Sequence, residues 1–175
     1  PDSAVKESEK RIDSALKNIG YKIPGRSIVI NMAPADIRKE GSAYDLTIAI
    51  GILAASEQIK ADGIGDYIIM GELSLDGGLQ PIKGVLPIAI QAKKEGFKGI
   101  ILPNMNAAEA AIVSELEVYG VENIKQVIDF FNGNIKLEQT IVNTREEFFS
   151  KINNIEFDFS DVKGQENIKR ALEIA

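Results

Sequence analysis

Ser42 and Asp45, three residues apart at the head of an apolar run, are the side chains here best placed to do chemistry. The run Leu46, Ile48, Ala49, Ile50, Ile52, Leu53, Ala54, Ala55 reads as a helix with almost no polar face, which predicts that it lies under other elements. Orphan N–H groups and the helix dipole stabilise negative charge where such a helix begins, so an acyl-transfer or phosphate site could be built there. The simpler reading is a capping-box-like pair: the Ser42 hydroxyl takes a backbone N–H and the Asp45 carboxylate reaches back toward the cap. Capping pairs are common and catalytic serines rare, so the residue types alone favour the structural cap.

Composition narrows the chemistry further. There is no histidine and no cysteine in the 175 residues, which excludes a Ser-His-Asp triad, a Cys-His dyad, disulfides and the commonest metal ligands. Twenty basic against 26 acidic residues, a formal charge of −6, argues against a dedicated nucleic-acid surface. The length is that of one ordinary domain, or one domain and a fragment of a second. No apolar run is long enough for a bilayer span and no secretory leader is visible, so the expected compartment is the cytoplasm and no membrane partner is expected.

The elements that must position Ser42 and Asp45 follow from periodicity. A first helix starts at Asp2 or Ser3, carries Val5, Ile12, Leu16 and Ile19 on one face and Lys6, Glu7, Glu9, Lys10 and Arg11 on a solvated face, and ends at Gly20. Ser27-Ile28-Val29-Ile30-Asn31 reads as a buried strand ended by Pro34, and Tyr67-Ile68-Ile69-Met70 as another. A hairpin turning at Asp76-Gly77-Gly78 follows; with no Gly-Lys-Ser/Thr after them, these glycines are turn residues and not a phosphate loop. Val85 to Glu95 is helical, Phe97 to Pro103 a strand, Asn104 or Asn106 caps a helix running to about Ser114, Leu116 to Val121 is a strand, and Asn123 to Phe131 a helix. That alternation is the pattern of βαβ units in an α/β domain. Beyond Ile135 the chain turns polar, with a short aromatic helix at Phe148 and Phe149. It ends in a helix bearing Ile168, Ala171, Leu172 and Ile174, which predicts a piece of a larger protein with a boundary near Ile155.

Two separated stretches carry a resemblance. Ala33-Pro34-Ala35-Asp36-Ile37-Arg38-Lys39-Glu40-Gly41-Ser42-Ala43-Tyr44-Asp45-Leu46, preceded by Asp2-Ser3-Ala4-Val5-Lys6-Glu7-Ser8, resembles the N-terminal region of the magnesium-chelatase-like AAA+ ATPases of the ComM/YifB type. Asp161-Val162-Lys163-Gly164-Gln165-Glu166, with Lys169-Arg170-Ala171-Leu172-Glu173, resembles the lead-in to their ATPase module. The resemblance implies a Lon-protease-like domain over residues 1–155, of mixed α/β fold with a mixed sheet and packed helices, and the truncated start of an AAA+ domain over residues 156–175.

Lon-type proteases pair a serine nucleophile with a lysine base, a chemistry that needs neither histidine nor cysteine. Set against that pattern, the serine position falls on Ala43 and the lysine position on Leu86, neither of which can serve; a shifted dyad would use Ser42 with Lys83 or Lys39. No Walker A loop occurs, so ATP and Mg belong to the parent protein, and Val162, Lys163, Gly164 and Gln165 would supply only a partial adenine edge. The leading expectation is therefore a non-catalytic accessory or assembly domain. Its parent is implied in DNA processing and branch migration during natural transformation, with its own ATPase domain, a homo-oligomeric ring and DNA as partners. The alternatives are a serine-lysine peptidase of the Lon type and the Lon-like domain of a RadA-type recombination protein.

Overall fold

The structure is a computed structural model that describes residues 3–25, 27–32, 41–143 and 163–174. The chain forms two compact units, Pro1–Ile141 and Val142–Ala175. The boundary expected near Ile155 and the aromatic helix at Phe148 and Phe149 fall outside the described residues.

The larger unit is built on a three-stranded parallel sheet: β1 (Tyr67–Ile69), β4 (Gly99–Pro103) and β5 (Glu117–Val121) in the order β1-β4-β5. All five positions of β4 are buried, the mark of a parallel strand covered on both faces. Its side chains alternate between two cores. Ile101 joins a cluster with Ile12, Leu16, Leu46, Ile50, Leu53, Ile124 and Ile128, contributed by α1 (Ser3–Asn18), α2 (Asp45–Ala55) and α5 (Ile124–Asn132). Ile100 and Leu102 point the other way, into a cluster with Val85, Ala89, Ala107 and Ala110 from α3 (Val85–Lys94) and α4 (Asn104–Ala110). The result is an α/β fold with helices on both faces of the sheet, completed by an antiparallel pair, β2 (Glu72–Leu73) and β3 (Leu79–Gln80).

Two glycines set how tightly the layers close. A Cβ on Gly99 would lie 2.5 Å from the Glu117 carbonyl oxygen, and one on Gly120 would lie 2.6 Å from Asn104 Oδ1 and 2.8 Å from the Ala107 methyl, so α4 sits down on β5 only because residue 120 has no side chain.

Four expectations are corrected. Residues 27–32 are not a strand: among the described residues no neighbour pairs with them, and Val29 is 89% exposed. Helix α2 buries Leu46, Ala49, Ile50 and Leu53, but among the described residues nothing covers Gly51 and Ala55, which are exposed. Asn104 and Asn106 do not cap α4, whose N-cap is Pro103; Asn106 is buried instead, bonding both backbone groups of Ile82 at 2.9 Å. Arg11 is not on a wet face: with the buried Ser8 it flanks the apolar stripe of α1 and points at α2. By contrast, Asn123 does cap α5, its side chain accepting from the Gln126 N–H at 3.1 Å.

The second unit is described over one helix, α6 (Glu166–Ile174), along which Ile168 and Leu172 are exposed.

Candidate functional site

The loop before α2 is pinned by backbone. Gly71, in the link between β1 and β2, donates its N–H to the Ala43 carbonyl at 2.8 Å and accepts the Leu46 N–H at 3.0 Å. Thr47 adds a side-chain bond to the Ile69 carbonyl. Because the Leu46 N–H is taken by the Gly71 carbonyl and the Asp45 N–H by the Ser42 carbonyl at 3.1 Å, the Ser42 and Asp45 side chains are free for other partners.

Asp45, the first residue of α2, is 0% exposed and takes four hydrogen bonds. Its Oδ1 accepts from the Ser8 hydroxyl and from Arg11 Nη2 at 3.3 Å. Its Oδ2 accepts from Arg11 Nε at 2.8 Å and from the Leu73 N–H at 3.3 Å. An ionised carboxylate offers about four lone-pair sites, so this one is saturated and has no acceptor left for a substrate proton. The Arg11 guanidinium is raised above its ordinary value, first by its hydrogen bond to Asp45; burial opposes this, and the charges of Asp45, Glu72 and Glu7 add to it.

Ser42 is not the cap. The N-cap of α2 is Tyr44, with no side-chain capping bond, and the Ser42 hydroxyl donates to Glu72 Oε2 on β2. The expected Ser42–Asp45 capping box is thus replaced by bonds to other elements, from Asp45 to α1 and β2 and from Ser42 to β2. The Ala43 methyl is half-buried against the core of α3 and α4. Leu86 is the second residue of α3, and its N–H donates to Glu109 Oε1 at 3.0 Å. Lys83 is exposed and makes no ion pair among the described residues, whereas Ser42 has a carboxylate for a partner. Lys39 and Val162 lie outside the described residues. Lys163, Gly164 and Gln165 are exposed just ahead of α6, the last two at positive φ. Among the described residues no cluster of three His, Cys, Asp or Glu could hold a metal, and no helix is long and apolar enough to cross a membrane.

Ser8, Arg11 and Glu72 are the members of this site that sequence reasoning missed. Ser8 carried a signal: it precedes Ile12, Ala15 and Ile19 at helical spacing, so a polar residue stood on the buried stripe of α1. Glu72 carried none, since its partner lies 30 residues away across a turn in the chain.

The family model for subunit ChlI of Mg-chelatase matches residues 1–106, more than half of the chain. The chain is 39% identical over 175 residues to the competence protein ComM of Haemophilus influenzae, a match covering 100% of this chain and 34% of that protein. It is 40% identical over 174 residues to YifB of Escherichia coli, covering 99% of this chain and 33% of the relative. Lon protease 2 of Bacillus subtilis is 31% identical over 140 residues, covering 78% of this chain and 24% of the protease. The chain therefore spans about a third of the length of the ComM and YifB relatives. A match over the residues that build α1, the loop before α2, the hairpin and β4, shared with ComM and YifB along the whole chain, leads to one conclusion: this chain belongs to the magnesium-chelatase-like family, among its ComM/YifB members.

Proposed function

We propose that this chain is a non-hydrolytic accessory domain of a larger AAA+-type ATPase, a scaffold that kept a peptidase-like architecture without its chemistry. The observation that carries the reading is the pair Ala43 and Leu86, where a Lon-type enzyme would need serine and lysine: a methyl and an isobutyl group can neither attack a carbonyl nor carry a proton. Two facts support it. Asp45 is saturated by Ser8, Arg11 and Leu73, and the hydroxyl of Ser42, the residue before Ala43, is held by Glu72 and not by a lysine.

The name of the Haemophilus relative ties that protein to competence. On that ground we infer that the parent protein processes DNA, with ATP and Mg bound by a module beyond this chain, ring assembly through that module, and Lys163 to Gln165 at most at the rim of its nucleotide site.

Two measurements test this. The purified chain should hydrolyse neither unfolded protein nor peptides, and a serine-reactive probe should leave Ser42 unlabelled. The hydrolase reading rests on the Ser42–Glu72 bond, since a carboxylate can accept a hydroxyl proton; stoichiometric labelling of Ser42 that disappears in Glu72→Gln or Lys83→Ala would install it in place of the scaffold. Removing residues 1–155 from the longer polypeptide should weaken nucleotide-dependent assembly or DNA remodelling, and full activity of both without them would overturn the accessory role.

A further inference from the structure

The chain leaves α5 through Gly133, at φ 78°, and Asn134, whose N–H and side-chain amide both bond Asp129. It then runs along the sheet. Leu137 is half-buried against the core that also holds Tyr67, Tyr119 and Phe130, and the Thr140 N–H donates to the Val118 carbonyl at 2.8 Å. Tyr67, Gly99 and Glu117 stand level with one another, so Tyr67 marks the N-terminal end of the sheet, and Phe130 and Phe131 at the close of α5 pack on its ring and bring the chain to that end. The rings of Tyr67, Tyr119 and Phe130 pack within about 6 Å, and burial and Glu117 push the Tyr119 hydroxyl up to about 12. Starting there and reaching the second residue of β5, residues 135–141 run parallel to β5.

The edge they meet is only partly occupied. Alternate residues of a strand turn their backbone groups to opposite sides. Glu117 donates to Lys98 on the β4 side, whereas the carbonyls of Val118 and Glu122 face outward, to Thr140 and to Leu79. Gly120, between them, therefore turns both its N–H and its C=O to the open edge, and no partner is recorded for either among the described residues. In a parallel ladder a residue that donates to one position accepts from the position two further along. The acceptor that matches the Gly120 N–H is the Thr140 carbonyl.

We propose that residues 135–141 are a fourth sheet strand in a half-latched state: one rung, Thr140 to Val118, is made, and the next, from the Gly120 N–H to the Thr140 carbonyl, closes and opens. Closing it fixes the point from which the polypeptide leaves the first unit, and opening it frees the chain as far back as Leu137. The proposal does not depend on whether the following module hydrolyses ATP.

Amide hydrogen exchange on the 175-residue chain tests it. The Gly120 and Thr140 amides should both be protected, and Leu137→Asp should lower both protections at least tenfold while the Ile101 amide, inside the sheet, keeps its own. Thr140→Pro, which removes the made rung without touching the core, should speed Gly120 exchange in the same way. A Gly120 amide that exchanges as freely in the unmodified chain as in these variants, or that keeps its protection in Thr140→Pro, overturns the latch.

Discussion

A carboxylate with no exposure is tolerable only when its lone pairs are filled, and Asp45 is filled from two elements at once: Ser8 and Arg11 on α1 and the Leu73 N–H on β2. The two halves of the ion pair are unequal, because the Arg11 side chain is 21% exposed and Asp45 0%. Arg11→Ala strands a buried charge and should destabilise by about 3–5 kcal/mol. Asp45→Ala leaves an arginine that can turn to water and should cost less, about 1–3 kcal/mol, mainly for the unpaired Leu73 N–H and Ser8 hydroxyl. Urea denaturation of the two variants checks the order; an Asp45→Ala loss larger than that of Arg11→Ala would mean the pair is not held as described. The types and positions of Ser42 and Asp45 were legible from the sequence, but their partners were not. A capping box is a local pattern, and here the Ser42 and Gly71 carbonyls take the Asp45 and Leu46 N–H groups, freeing both side chains for partners 28 to 37 residues away.

At the scale of elements, periodicity and end signals located most of the structure: β4, β5, α3, α5 and the β2–β3 hairpin stand where alternation, helical spacing and turn glycines put them. Residues 27–32 failed because β-branched composition reports that a segment suits a sheet, not that a neighbour is present to pair with it. Close approach between layers is equally invisible in one sequence, since Gly51 and Gly120 look alike as letters. Their substitutions should behave oppositely. Gly120→Ala and Gly99→Ala force a methyl into atoms 2.6 Å and 2.5 Å away and should cost about 1–3 kcal/mol. Gly51→Ala, inside α2 with nothing within 4 Å of the added carbon, should stabilise by about 0.5–1 kcal/mol through helix propensity. Thermal melts of the three proteins decide this; a stabilised Gly120→Ala would show that α4 does not pack on β5 at that point.

For the larger unit as a whole, the sheet divides the interior into two apolar cores, and beside α2 the described residues leave the surface open. Residues 28–32 and the outer side of α2, with Ile48, Ile52 and Ala55, line a cavity of about 360 Å³, and Ile28, Val29 and Ile30 are 40%, 89% and 49% exposed. Unpaired extended backbone beside exposed β-branched side chains is a template for association. Val29→Lys should therefore reduce binding of a hydrophobic dye and raise the concentration at which the chain begins to aggregate, with a stability change within about 0.5 kcal/mol because the side chain is almost wholly in water. Unchanged dye binding would place the sticky surface elsewhere. The apolar character of α2 on all sides was readable from its letters; that Gly51 and Ala55 are exposed among the described residues was not, because it depends on which other segments reach the helix.

The Ser8–Arg11–Asp45 contact also answers a question of alignment. An apolar stripe such as Ile12, Leu16 and Ile19 could seat α1 on its neighbours equally well after sliding by one turn, since leucine and isoleucine tolerate one another's places. The carboxylate does not. A slip of four residues one way would bring Ile12 and Ala15 to Asp45, leaving a bare charge among hydrocarbons; a slip the other way would bring Ala4 and Glu7, setting acid against acid. One ionised group thus acts as a detent on an otherwise smooth track, admitting a single seating of the first helix and rejecting both adjacent ones.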